Sequence, residues 1–165
     1  MMADVSFRPV STADRMLLLR IYASSREQEM ALVPWTGAEK AAFLEQQFDF
    51  QDRHYRTAFE GAEFSIIAIR GEDAGRLIVH RGEASIELMD ITLLPPWRNQ
   101  GLGTGIIREL MEEASGSEKS LRLWVEQFNP ARRLYERLGF AHESDHGIHL
   151  EFVFSRRPAQ PNTAS

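Results

Sequence analysis

The sequence predicts one mixed α/β domain of about seven strands and four helices, and three features of its apolar pattern support this. Helical spacing dominates residues 11–60. Alternation broken by short turns dominates residues 64–94, and a further helix then separates that meander from another strand. The stretch before the polar tail reads as one more helix followed by a closing hairpin.

Ser6 to Val10 forms the first strand, and Ser11-Thr-Ala-Asp14 caps a helix running through Leu17, Leu18, Ile21 and Tyr22. A proline-bearing connection, Met30 to Pro34 and Trp35, leads to Thr36-Gly-Ala-Glu39, a second capping box. It opens a long helix through Leu44, Phe48, Tyr55 and Phe59 that ends near Glu60. Three strands follow: Phe64 to Arg70, Arg76 to His80 after a turn at Gly71 to Gly75, and Ala84 to Leu94 after a turn near Gly82. Pro95 and Pro96 stop the third strand. A loop carries Trp97 to Gly103, and Ile106, Ile107, Leu110 and Met111 mark the next helix. Leu121 to Val125 is reached by this crossover, so it lies parallel to the strand before it. Asn129-Pro130 starts a last helix that ends at Gly139. Phe140 to Glu143, a turn at Ser144 to Gly147, and Ile148 to Phe154 close the domain as a hairpin. The expected domain spans residues 1–154, with a flexible tail over 155–165.

The 165 residues are 43% hydrophobic and 26% charged, which fits a globular domain and excludes a disordered or collagenous chain. With no cysteine there is no disulfide, thiolate nucleophile or cysteine zinc site, and the expected location is cytoplasmic. No run of about 18 apolar residues exists, so no membrane partner is expected. A net charge of −5 gives counterion-release binding to nucleic acid little to draw on.

Three motifs compete for the chemistry. His142-Glu-Ser-Asp-His146 matches the zinc-protease pattern, but that pattern needs both histidines on one helix face. Here turn formers and alternating flanks surround it, and solvated histidines at a hairpin tip are the better reading; no metal is expected. Gly101-Leu-Gly-Thr-Gly105 resembles a dinucleotide fingerprint, but the third glycine comes one residue early and too little chain follows for a doubly wound sheet. Arg98-Asn-Gln-Gly101-Leu-Gly103 offers a run of backbone N–H groups at a helix N-terminus, which suits a pyrophosphate, or else is a tight turn that binds nothing.

Arg98-x-x-Gly101-x-Gly103 resembles the acetyl-CoA signature of the GNAT superfamily of N-acetyltransferases. Asn129-Pro-Ala-Arg-Arg-Leu-Tyr-Glu-Arg-Leu-Gly-Phe140 is similar to the same family's second motif. Asn99 stands where the family commonly has glycine, and Ala131 falls one residue early. The resemblance implies a mixed, mostly antiparallel sheet splayed between strands four and five. It also implies acetyl-CoA as co-substrate without metal, and a small-molecule or protein amine as acceptor. Direct attack in a ternary complex is the implied reaction, and a homodimer is an assembly common in the family. A non-catalytic acyl-CoA-binding regulatory domain is the alternative function.

The resemblance assigns the pyrophosphate to the loop amides of Arg98, Asn99, Gln100, Gly101, Leu102, Gly103 and Thr104, and the pantetheine arm to the backbone of Ile91, Thr92 and Leu93. Asn129 would touch the pantetheine region or a neighbouring backbone, or else simply cap its helix, and Arg132, with Arg133, would reach the nucleotide phosphates or else stay solvated. Tyr135 would protonate the leaving thiolate, since a phenol of pKa about 10 keeps its proton near neutrality, or else is a helix aromatic packed in the core. A lysine-like acceptor, pKa about 10.4, costs about 4 to 5 kcal/mol to neutralise at pH 7. A carboxylate or water-linked base is then needed, with Glu87 preferred over Asp90 and Glu126, each of which is otherwise a strand-end or cross-strand polar partner. Trp35, Phe48 and Tyr55, with Met30 and Phe59, are candidates for an acceptor pocket, although an aromatic stripe at helical spacing also builds core.

Overall fold

Both helix-start signals operate as read. The Asp14 carboxylate accepts the Ser11 backbone N–H at 2.8 Å, and Arg8 donates to both its oxygens, at 2.9 and 3.0 Å. These groups form a 3-10 turn (Thr12–Asp14) that leads into α1 (Arg15–Ser25). Thr36 Oγ1 accepts the Glu39 N–H at 3.2 Å and starts α3 (Gly37–Ala58). Between them lies a helix absent from the sequence expectation, α2 (Glu27–Ala31). The Met30 N–H reaches Arg26 O at 2.9 Å, and the turn stops before Val33-Pro34, where the residue preceding proline is steered out of the helical region.

The computed structural model describes residues 4–126, 132–146 and 149–155. The remaining elements are β1 (Val5–Pro9), β2 (Glu63–Ile69), β3 (Glu72–Arg81), β4 (Ser85–Leu93), α4 (Leu102–Gly116), β5 (Ser120–Glu126), α5 (Arg132–Leu138), β6 (Ala141–His146) and β7 (His149–Phe154). The seven strands form a mixed, mostly antiparallel sheet in the order β1-β2-β3-β4-β5-β7-β6. β4 and β5 run parallel, as the crossover through α4 requires. Their ladder runs from Ser85–Ser120 to Leu88–Leu123, and β4 then continues to Leu93.

The chain divides into two compact units, residues 1–80 with 89–105, and residues 81–88 with 106–165. In the first, Leu18, Tyr22, Phe48 and Ile66 form a buried cluster, backed by Val10, Leu17, Leu19 and Leu44. In the second, Leu121, Leu123, Val125, Leu150 and Phe152 fill the inner face of β5 and β7.

Two expected turns are corrected. The β2–β3 turn is only Arg70-Gly71, with φ of 50° and 81°, and Gly75 lies inside β3. A type I′ geometry suits the right-handed twist of a hairpin, which a longer turn would not need. Ser144 and Asp145 sit in β6, not in a turn; they pair with Glu151 and Leu150 across a bulge after His142. Gly147 and Ile148 lie outside the described residues, as does the tail beyond residue 155.

Hydrogen bonding by Arg8 and then by the Ser11 amide lowers the Asp14 carboxyl to about 2. Its stabilisation is therefore complete above the unfolded value of about 3.9 and fades as pH falls through about 2. Asp14→Asn should cost about 1 to 2 kcal/mol at pH 7 in urea unfolding. The difference from wild type should shrink steadily below pH 4.

Candidate active site

β4 ends at Leu93, and the two prolines that follow Leu94 keep it from continuing. The Trp97 N–H closes a 3-10 turn onto Leu94 O at 3.0 Å, and the chain then reverses through two left-handed residues, Asn99 (φ 60°) and Gly101 (φ 78°). Asparagine enters that region more easily than most residues, so Asn99 can serve where the family commonly has glycine. Gln100 anchors the loop by donating from Nε2 to Pro96 O at 2.6 Å.

α4 begins directly after Gly101, and the Gly105 N–H donates to Gly101 O at 2.9 Å. The first amides of any helix have no intrahelical acceptor and carry the positive end of its dipole. No acidic residue lies in this first turn. A Cβ on Gly103 would meet nothing nearer than Leu93 Cδ1 at 3.9 Å, so protein packing does not require the glycine. An uncrowded backbone, free amides and no competing acid together fit an anionic group such as a diphosphate.

Beside this loop, the half-buried Ile91 to Leu93 backbone is held by side chains that sequence reasoning did not connect. Arg98 Nε donates to Leu93 O at 2.8 Å, and its Nη2 reaches Ser24 O and Oγ, both at 3.2 Å. The Arg98 side chain thus ties the loop to β4 and to the end of α1. Arg76, only 3% exposed, donates to Asp90 at 2.8 Å and to Gln51 at 2.9 Å. Asp90 also accepts the Thr92 hydroxyl at 3.1 Å. Tyr55 is half-buried near this cluster; burial first, then the Asp90 charge, pushes its phenol well above the ordinary value.

The expected pocket aromatics separate. Trp35 is exposed and sits edge-on against Phe43, with centroids 5.2 Å apart. Phe48 is 3% exposed, stacks 5.9 Å from Tyr22 and belongs to the core. Helical spacing could not distinguish these two environments.

In the second unit Glu87 pairs in register with Arg122, and Arg122 with Val153. Alternation therefore puts Glu87 on the sheet face opposite the Phe152 ring. Glu87 Oε1 accepts the Ser85 hydroxyl at 3.1 Å, while Oε2 is buried without a hydrogen-bond partner. Burial is the main cause that raises its pKa; the Ser85 bond, Arg122 and a Trp124 side-chain bond act against it. Tyr135, half-buried on α5, lies 6.4 Å from Phe152 and 6.0 Å from Phe140, ring to ring. Arg132 Nε is 3.3 Å from Glu136 and its guanidinium lies over Phe152.

A sequence model of the "Acetyltransferase (GNAT) domain" matches residues 60–142, just over half of the chain. The chain belongs to the GNAT acetyltransferase family. No curated protein matches it. Among solved structures, the paia N-acetyltransferase of Thermoplasma acidophilum, in complex with coenzyme A, superposes with a TM-score of 0.65. It is 14% identical over 92% of this chain and 98% of its own. An acetyltransferase from Thermus thermophilus gives 0.66 at 17% identity, covering 93% and 98%. A GNAT family acetyltransferase from Elizabethkingia anophelis with acetyl-CoA bound gives 0.60 at 12%, covering 93% and 99%. At these identities the structures establish the shared fold.

Of the residues marked by the GNAT motifs, Asn129 and Ala131 lie outside the described residues, as does the side chain of Glu126. The zinc-like pentapeptide is strand, not helix: His142 Nε2 is 2.7 Å from Asp145, and its ring stacks 5.7 Å from Phe152. Among the described residues no group of three or more His, Asp or Glu is arranged to hold a metal.

A carboxyl with a raised folded pKa weakens the fold as it ionises, so Glu87 should reduce stability increasingly above its unfolded value of about 4.3. Glu87→Gln should therefore melt near wild type at pH 4 and above it at pH 8. A difference that stayed flat between those values would show that the carboxyl carries no burial penalty.

Proposed function

We propose that this GNAT protein is an N-acetyltransferase that moves an acetyl group from acetyl-CoA to a primary amine by direct attack in a ternary complex. The observation that carries this reading is the start of α4, where free amides, an uncrowded Gly103 and an acid-free first turn suit a diphosphate. Acetyl-CoA would supply the acetyl group as a thioester, with the CoA thiolate as leaving group.

In this reading the backbone amides of residues 99–104 hold the pyrophosphate, because the Arg98 N–H, expected to join them, already donates to Pro95 O at 3.2 Å, and the backbone of Ile91 to Leu93 receives the pantetheine arm. Asn129 and Arg132 complete the cofactor contacts. Tyr135 donates its phenolic proton to the thiolate. Glu87 takes the proton of the acceptor amine: its raised pKa makes it a stronger base than an ordinary carboxylate. Trp35 and Tyr55 contact the acceptor, a small-molecule or protein amine. No helix among the described residues is long and apolar enough to cross a membrane, and the cysteine-free chain fits a cytoplasmic location.

Acetyl-CoA or CoA at about 100 times its Kd should stabilise the protein by about 2.7 kcal/mol, seen as a melting temperature several degrees higher, with no response to NAD. A response to NAD alone would overturn the acetyltransferase reading. Tyr135→Phe should keep that stabilisation and lower kcat by about 100-fold on any amine the wild type acetylates. Glu87→Gln should remove the acidic limb of the kcat/KM profile; an unchanged profile would pass the base role to Asp90.

A further inference from the structure

Gly75, a glycine that no motif marks, is tightly crowded. A Cβ placed on Gly75 would collide with the Thr92 carbonyl oxygen and stand 3.1 Å from both Thr92 C and Leu93 Cα. Gly75 does not occupy the left-handed region, so space alone requires the glycine. Gly71, at φ 81° with nothing within 4 Å, is required for the opposite reason.

The approach of β4 over Gly75 is built into both neighbouring strands. Opposite Gly75 the β2–β3 ladder shifts register: Ile67 pairs with Gly75 and Ala68 with Asp73, leaving Ala74 as the extra residue of a bulge. That residue's carbonyl accepts the Leu94 N–H at 2.8 Å. On the other side Thr92 Oγ1 donates to Asp90, which Arg76 holds from beneath at 2.8 Å. The Thr92–Leu93 backbone is therefore held from Gly75, Ala74, Asp90 and Arg98 at once.

We propose that Gly75 and the Thr92 hydroxyl are positioning groups that set the Thr92–Leu93 backbone where it receives the pantetheine arm of CoA. This rests on the acetyl-CoA reading above. A methyl group at residue 75 pushes the Thr92 carbonyl away and shifts the backbone on which the arm would lie. Loss of the Thr92 hydroxyl frees the same segment by a smaller amount. Neither residue supplies a side chain to the ligand.

The test is calorimetric titration of CoA into wild type, Gly75→Ala and Thr92→Val, at a temperature well below each protein's melting point. Binding should weaken at least tenfold in Gly75→Ala and two- to fivefold in Thr92→Val, and the CoA-induced rise in melting temperature should fall in the same order. A general loss of stability would lower the starting melting temperature without changing the Kd of the folded protein. Gly75→Ala binding CoA within twofold of wild type would overturn the proposal. If that variant does not fold, unchanged affinity in Thr92→Val would overturn it. A wild type that does not bind CoA at all would overturn the acetyl-CoA reading itself.

Discussion

The end of β4 is where the constraints of the first unit converge. Between Asp90 and Leu94 the strand has left its ladder with β5, which ends at Leu88–Leu123, so its backbone must be fixed by other means. It is fixed by contacts of four kinds: a glycine that gives up its side-chain volume, a bulge carbonyl, a buried arginine acting through a carboxylate, and a guanidinium folded back from the next loop. Backbone polar groups left without partners in a half-buried setting are costly, and these contacts leave only chosen ones available. The same economy shapes the start of α4, where two left-handed residues turn the chain so that the helix opens with its amides free.

The glycines in this region do three different jobs. Gly101 supplies a left-handed torsion, Gly75 supplies room for another strand, and Gly103 satisfies neither need of the protein itself. A residue whose smallness serves no internal purpose points to something that arrives from outside. That inference agrees with the family to which the chain belongs, yet it stands on local geometry alone. The carboxylates divide in a similar way: Asp14 is strongly paired and its proton is readily lost, whereas Glu87 is buried with an idle oxygen and holds its proton more tightly. The first arrangement stabilises a helix start; the second sacrifices stability and retains basicity.

Much of this was legible in the sequence, because the relevant signals are local. The two capping boxes, the meander, the crossover and the loop between Pro95 and Gly103 depend on residues within a few positions of one another. The features that were not legible depend on distant neighbours. Gly75 looks like a turn glycine until Thr92 is brought over it. Phe48 and Trp35 share an aromatic pattern but face core and solvent. Arg98 reads as part of a phosphate motif, while its side chain is engaged with Leu93 and Ser24. The turn formers Ser144 and Asp145 lie in β6 because pairing with β7 overrides their local preference. The candidate site was legible as a pair of motifs; the scaffold that holds its β4 segment was not.

The claim on which the account rests is that the free amides at the start of α4 receive a diphosphate. Amide hydrogen exchange resolved to single residues, with and without saturating CoA, tests it directly. Exchange at Leu102, Gly103 and Thr104 should slow by at least tenfold on binding, because each amide would acquire an acceptor. Binding that left these three amides exchanging at their free rates, with protection elsewhere, would contradict the account.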